Sequence, residues 1–197
     1  MTAGVVALTA AAGLAIQFHA TFDQSGSVGG TLWVLARYFT IWTNAAVALA
    51  FAGVALGARV TARRIGGVTM AILLVGVVYG LLLRGLMSLS GGAVLADLLL
   101  HKLVPVLAVL WWIACAPKGK LRRSDPLWWA VFPGAYLPYA LLRGAMEGTY
   151  AYPFINVARL GIGQVLLNAL TIAAGFLIAG YALLWMDRLL GRGVRRG

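Results

Sequence analysis

The chain reads as an all-α integral membrane protein, a bundle of six transmembrane helices forming one domain over residues 1–197. Three observations predict this. Hydrophobic residues make up 62% of the chain and charged residues 11%, whereas soluble domains carry about 25% charge and are about half apolar or less. The mean hydropathy is +0.91. Apolar runs also recur at the ~20-residue length that crosses a hydrocarbon core.

The runs are Thr2–Ala20, Leu35–Leu56, Gly67–Met87, Val94–Cys115, Pro126–Met146 and Gly161–Trp185. The first has no Lys or Arg before Arg37. It therefore lacks the basic region of a signal peptide and reads as a retained helix. None of the six alternates apolar and polar residues as a barrel strand does. Small residues recur along helices one, three and six, as in Ala10-Ala11-Ala12-Gly13 and Ala173-Ala174-Gly175, where they let helix backbones approach closely.

The connecting segments set the orientation. Eleven of the sixteen Lys and Arg residues fall after helix two (Arg59, Arg63, Arg64), after helix four (Lys118, Lys120, Arg122, Arg123) and in the tail (Arg188, Arg192, Arg195, Arg196). Cytoplasmic loops carry such an excess, so both termini are expected in the cytoplasm of a multi-pass cell-membrane protein. Thr21–Gly30, Ser88–Gly92 and Glu147–Val157 then face outward. The net charge of +11 is interleaved with membrane-length segments rather than gathered on one soluble face, which argues against a nucleic-acid partner. The lipid bilayer is the expected partner, and oligomeric state is not legible.

Cys115 is the only cysteine, and the two His and five acidic residues are mostly scattered. Neither a disulfide nor a metal constellation is expected, and no cofactor is implied.

Polar residues within the spans mark a candidate site, because such groups are costly in hydrocarbon and usually face the bundle interior. Thr40 lies ~8 Å below the outer end of helix two, His101 ~8–10 Å below that of helix four, and Asn168 ~10 Å below that of helix six. Arg84 and Arg143 sit near the outer ends of helices three and five. Thr40 with Asn44, Asp97 with His101 and Arg143 with Glu147 are each four apart and share a helical face. Pro105 cannot donate to the His101 carbonyl, so a bend is expected there.

Singly, each has a structural explanation. Thr back-bonds to a carbonyl one turn earlier, Arg and aromatic residues anchor the interface, and Asp97 complements a helix dipole. Their common depth is what points to a site.

Phe39-Thr40-Ile41-Trp42-Thr43-Asn44, His101-Lys102-Leu103-Val104-Pro105, Arg143-Gly144 through Tyr152-Pro153-Phe154, and Gly161-Ile162-Gly163 with Asn168 resemble a bacterial six-helix membrane family over nearly the whole chain. That family is similar, more distantly, to the eukaryotic androgen-induced membrane proteins, which hydrolyse fatty acid esters of hydroxy fatty acids. The resemblance implies a Thr nucleophile and a His partner, matched here by Thr40 and His101, with Thr43 the rival for the first role.

A Thr hydroxyl needs an adjacent base and a group to orient that base, roles open to His101 and Asp97. Asn44, Arg84 or Arg143 would stabilise an oxyanion. Tyr152, Glu147, Thr43 and Asn168 complete the expected binding set. The first expectation is a lipid-ester hydrolase. The second, from another class, is a non-catalytic lipid-binding protein or transporter using the same polar pocket. A transporter would show inverted repeats or broken helices near the midplane, and no repeat is visible.

Overall fold

The computed structural model describes residues 2–86 and 89–194, with side chains to residue 191, and contains no strand among them. Met87 and Ser88, expected at a helix end and loop start, and Arg195 and Arg196 of the basic tail lie outside the described residues. The elements are α1 (Ala3–Ser25), α2 (Val28–Ala36), α3 (Phe39–Ala55), α4 (Ala62–Val78), α5 (Gly92–Leu98), α6 (Val104–Cys115), α7 (Asp125–Glu147) and α8 (Val157–Val194). A π-helical turn, Tyr79–Leu83, extends α4, and another, Leu99–Leu103, joins α5 to α6.

Four helical units are long and apolar enough to cross a membrane: α1, Ala62–Leu83, Gly92–Cys115 and Val157–Gly191. The α2–α3 pair makes a fifth if its 99° bend lies within one span. α7 has 23 residues, about 34 Å at ~1.5 Å per residue. Its Pro, Tyr and charged residues keep its hydropathy low.

The bend corrects the expectation of one helix over 35–56. Neither Gly nor Pro lies between Leu35 and Thr40, so nothing local announces it. Tyr38 is extended (φ −102°, ψ 126°), and the carbonyls freed at the end of α2 find aromatic donors. Tyr136 donates to the Arg37 carbonyl at 2.5 Å, and Trp42 and Tyr139 donate to that of Ala36 at 2.8 and 3.1 Å. Paired carbonyls remove the penalty for breaking the ladder. Residues 21–30, expected as a loop, are mostly helical. α1 runs to Ser25 and closes on Gly26 at φ 67°, the left-handed conformation that glycine adopts without strain. Ser27 then caps α2 by accepting the Gly30 N–H at 3.1 Å, satisfying a first-turn donor.

α1 packs along α3, α3 on α4, α4 on α6 and α7, and α7 on α8. Val6, Val47, Phe51, Met70, Ile72, Val104 and Trp112 form the dry centre. Small residues bring the helices close. A Cβ at Gly13 would lie 2.6 Å from Leu100, and one at Gly66 or Gly67 would lie 2.7 Å from Trp129.

The second π turn answers the expectation of a bend at Pro105. Proline lacks the N–H that would bond the His101 carbonyl, and the ladder widens just before it, with Val104 N–H reaching Leu99 O. A Cβ at Gly76 would lie 2.9 Å from the Pro105 ring, so the widened turn is held tightly against α4.

Candidate functional site

Thr40 is the second residue of α3, where the chain re-enters the bundle after the bend. His101 is carried by the π turn that precedes Pro105. Their elements are 61 residues apart in sequence, yet Thr40 Oγ1 lies 3.3 Å from His101 Nε2. On the opposite edge of the ring, His101 Nδ1 is 3.1 Å from Asp97 Oδ1. That contact is close but bent, since Nδ1 lacks hydrogen-bond geometry to any acceptor. Such contacts are often long or misaligned before substrate binds. A carboxylate beside Nδ1 favours the tautomer protonated there, which leaves the Nε2 lone pair facing the Thr hydroxyl.

Two residues not singled out from the sequence hold Asp97. Tyr79 donates to Oδ2 at 2.7 Å, and Lys102 Nζ is 3.2 Å from the same oxygen. Tyr79 also stacks on the imidazole, with ring centroids 4.5 Å apart. The available signal was a polar-tipped Tyr and a Lys inside otherwise apolar runs.

Thr40 and His101 both line a half-open cavity of about 170 Å³ between α3, α4, α7 and α8. Its walls are almost wholly apolar, including Leu74, Val75, Val78, Leu137, Ile172 and Phe176. Tyr152 and Tyr136 supply the other polar groups on the wall. The Tyr152 hydroxyl lies against the Thr40 side chain, the backbone of Phe39 and Thr40, and Tyr136. α3 has no side-chain cap, so its first-turn amides and the positive end of its dipole are beside Thr40.

The remaining expected residues lie elsewhere. Thr43 is fully buried and donates to the Phe39 carbonyl at 2.8 Å, the back-bonded arrangement of Thr in helices. Asn44 donates to the carbonyls of Thr40 (2.9 Å) and Leu100 (3.3 Å). Its amide thus staples α3 to the π turn instead of facing the cavity. Arg143 donates to Glu147 (2.7 Å), to Tyr139 (2.9 Å) and to the Trp33 carbonyl, and its guanidinium lies over the Trp33 ring. Glu147 also takes Arg37 at 2.6 Å, so this cluster ties α7 to α2. Asn168 donates to the Phe154 carbonyl at 2.9 Å, fixing the loop that carries Tyr152. Arg84 lines a separate groove behind His101 with Tyr79 and Lys102. The expected convergence of polar residues from five helices on one pocket is therefore narrower: Thr40, His101, Asp97 and Tyr152 meet, and the others brace the surrounding helices or lie apart.

Among the described residues no group of three His, Cys, Asp or Glu side chains is placed to hold a metal ion. Comparison with family models, with curated proteins and with solved structures finds no match. The functional reading therefore rests on the geometry of the site.

Proposed function

We propose that the protein is a membrane-embedded hydrolase of lipid esters, with Thr40 as nucleophile and His101 as base; the ester type, a fatty acid joined to a hydroxy fatty acid, is what the sequence resemblance implies. One observation carries this reading. A Thr hydroxyl lies 3.3 Å from an imidazole whose other nitrogen is 3.1 Å from a carboxylate, at the wall of an apolar cavity. Thr40 is the second residue of α3 and has no carbonyl one turn earlier in that helix, so its hydroxyl is left for His101.

In this mechanism Thr40 Oγ1 attacks the ester carbonyl carbon while His101 Nε2 takes the hydroxyl proton. Asp97 orients the ring and stabilises the imidazolium. The carbonyl π electrons move to oxygen, and the Tyr152 hydroxyl on the cavity wall is the donor assigned to the charge that develops. A preorganised donor of this kind is worth about 10²–10³ in rate. When the C–O bond breaks, the departing alkoxide takes the proton from His101 and leaves as the alcohol. Water, deprotonated by the same nitrogen, then cleaves the acyl-Thr40 ester and returns the proton to Thr40. The products are the alcohol and the fatty acid.

The bent α2–α3 pair and α7 complete six crossings in this reading. The excess of Lys and Arg in the loops at 57–64 and 116–124 and in the tail supports a reading with both termini in the cytoplasm.

A fluorophosphonate probe, which phosphonylates activated hydroxyls with loss of fluoride, tests the proposal on purified protein. Labelling and ester hydrolysis are expected in wild type and in Thr43→Val, and neither in Thr40→Ala. Hydrolysis at the wild-type rate by Thr40→Ala would remove Thr40 as the nucleophile, and a wild type that neither labels nor hydrolyses ester would turn the cavity into a lipid-binding site.

A further inference from the structure

Away from the dyad the cavity continues to the outside of the bundle. Gly134 on α7 and Ala173 on α8 both line it, and both are exposed. The space between them therefore joins the interior to the protein's flank. A Cβ added at Gly134 would meet nothing within 4 Å. Small residues on membrane helices normally draw the backbones together, but no neighbour fills the space over Gly134. α8 is also thinly packed beside it: between residues 157 and 176 only Val165 and Phe176 are buried. Among the described residues the lining carries no Lys, Arg, Asp or Glu, and its ionisable groups are His101, Tyr136 and Tyr152. Such a passage is unfavourable for ions and suited to hydrocarbon.

We infer that the gap between α7 and α8 is a lateral portal, with Gly134 and Ala173 as its posts, through which one acyl chain enters the cavity from the bilayer. The inference rests on the hydrolase reading only for the position of the chain's carbonyl, which is beside Thr40. Val75 and Phe176 are buried lining residues away from solvent. The cavity volume of about 170 Å³ is close to the ~150 Å³ dry cavity known to hold a benzene molecule. It therefore holds roughly six carbons nearest the carbonyl, and a longer chain trails through the portal into lipid. No carrier or aqueous channel is needed to deliver the substrate.

The test uses full-length protein in lipid nanodiscs and a palmitic acid analogue bearing a chain diazirine. After illumination, adducts are expected on the peptides covering 130–137 and 169–176, reduced by excess unlabelled palmitate. Gly134→Trp and Ala173→Trp, which fill the gap, should each lower that labelling about tenfold, the scale at which pocket-filling groups act. Gly134→Leu is the milder companion should the Trp variants fold poorly. Leu raises helix propensity over Gly, its side chain has open space, and the same direction of change is expected. Adducts spread evenly over exposed positions such as Val106 and Leu110, or labelling that ignores both Gly134 variants, would overturn the portal. The same wild-type preparation is assayed for ester hydrolysis. Saturable labelling at the portal without hydrolysis would end the esterase reading and leave the acyl site standing.

Discussion

Tyr79 holds Asp97 while covering His101: its hydroxyl donates to Asp97 Oδ2 at 2.7 Å, and its ring lies 4.5 Å from the His101 ring, 21° from parallel. One side chain thus fixes both the Asp97 carboxylate and the plane of the His101 ring. It comes from the π turn that ends α4, so the position of α4 is built into the dyad's geometry.

Removing only the hydroxyl should loosen Asp97 without opening the stack. Tyr79→Phe is expected to reduce ester turnover about fivefold, the rate equivalent of one net hydrogen bond at ~1 kcal/mol. Tyr79→Ala loses the ring contact as well and should be slower still. Steady-state rates of the folded variants check the order. Equal rates for Tyr79→Phe and wild type would show that Lys102 alone suffices to hold the carboxylate.

The Arg143–Glu147–Arg37 cluster calls for the opposite signature. Arg143 is nearly buried and all its nitrogens bond to groups on α7 or α2. Arg143→Met should therefore lower the melting temperature by several degrees, at roughly 2–4 °C per kcal/mol for a chain of this size. Turnover per folded molecule should remain within about twofold, which is small on the 1.4 kcal/mol-per-decade scale of rates. Thermal denaturation followed beside activity separates the two. A stable but inactive Arg143→Met would return this residue to the oxyanion role.

How much of this was legible beforehand depends on what kind of signal each feature leaves. The apolar lengths of α1, α4, the α5–α6 unit and α8 are written directly in composition, because hydrocarbon admits few other side chains. The i, i+4 spacing of Asp97 and His101 survives even a π turn, and it brought their side chains within contact. The α2–α3 bend was hidden because its cause is tertiary: Tyr136 and Tyr139, a hundred residues away on α7, take the carbonyls it frees. Arg143, Asn168 and Arg84 were grouped with Thr40 by depth alone. Depth fixes one coordinate, and the rotation of each helix about its axis directs these side chains to loops and helix ends instead. Tyr152, expected from its aromatic loop, does line the cavity with Thr40, whereas Tyr79 and Lys102 left no local pattern tying them to Asp97.

Orientation is testable through cysteine accessibility in a Cys115→Ala background. Lys120 and Thr149 are exposed at opposite ends of α7, so both accept a Cys without burying it. Gly119 is a poorer choice, because its φ of +71° strains any side chain. With both termini inside, Thr149→Cys should react with a membrane-impermeant maleimide in intact cells, and Lys120→Cys only after permeabilisation. The reverse pattern would invert the protein.

The separation of roles between Asp97 and His101 is the most exposed consequence of the site. His101 Nε2 is the only imidazole nitrogen near Thr40, so His101→Ala removes the proton acceptor itself and should abolish ester hydrolysis. Asp97 reaches Thr40 only through the ring, at 3.1 Å from Nδ1. Its substitution should therefore leave a reduced but measurable rate, as in triads where losing the orienting carboxylate is less damaging than losing the base. Asp97→Asn keeps the size and can still accept from Tyr79, while it withdraws the charge that stabilises the imidazolium. A remnant activity with an altered pH–rate profile is the expected result, because the charge beside the titrating ring has changed. The competing role for Asp97 is purely structural, an anchor shared by Tyr79 and Lys102. In that case Asp97→Asn would lower stability and leave both the rate per folded molecule and its pH profile unchanged. Purified variants assayed on one medium-chain ester across pH, each normalised to folded protein, distinguish these outcomes. Full activity in His101→Ala would dismiss the dyad altogether.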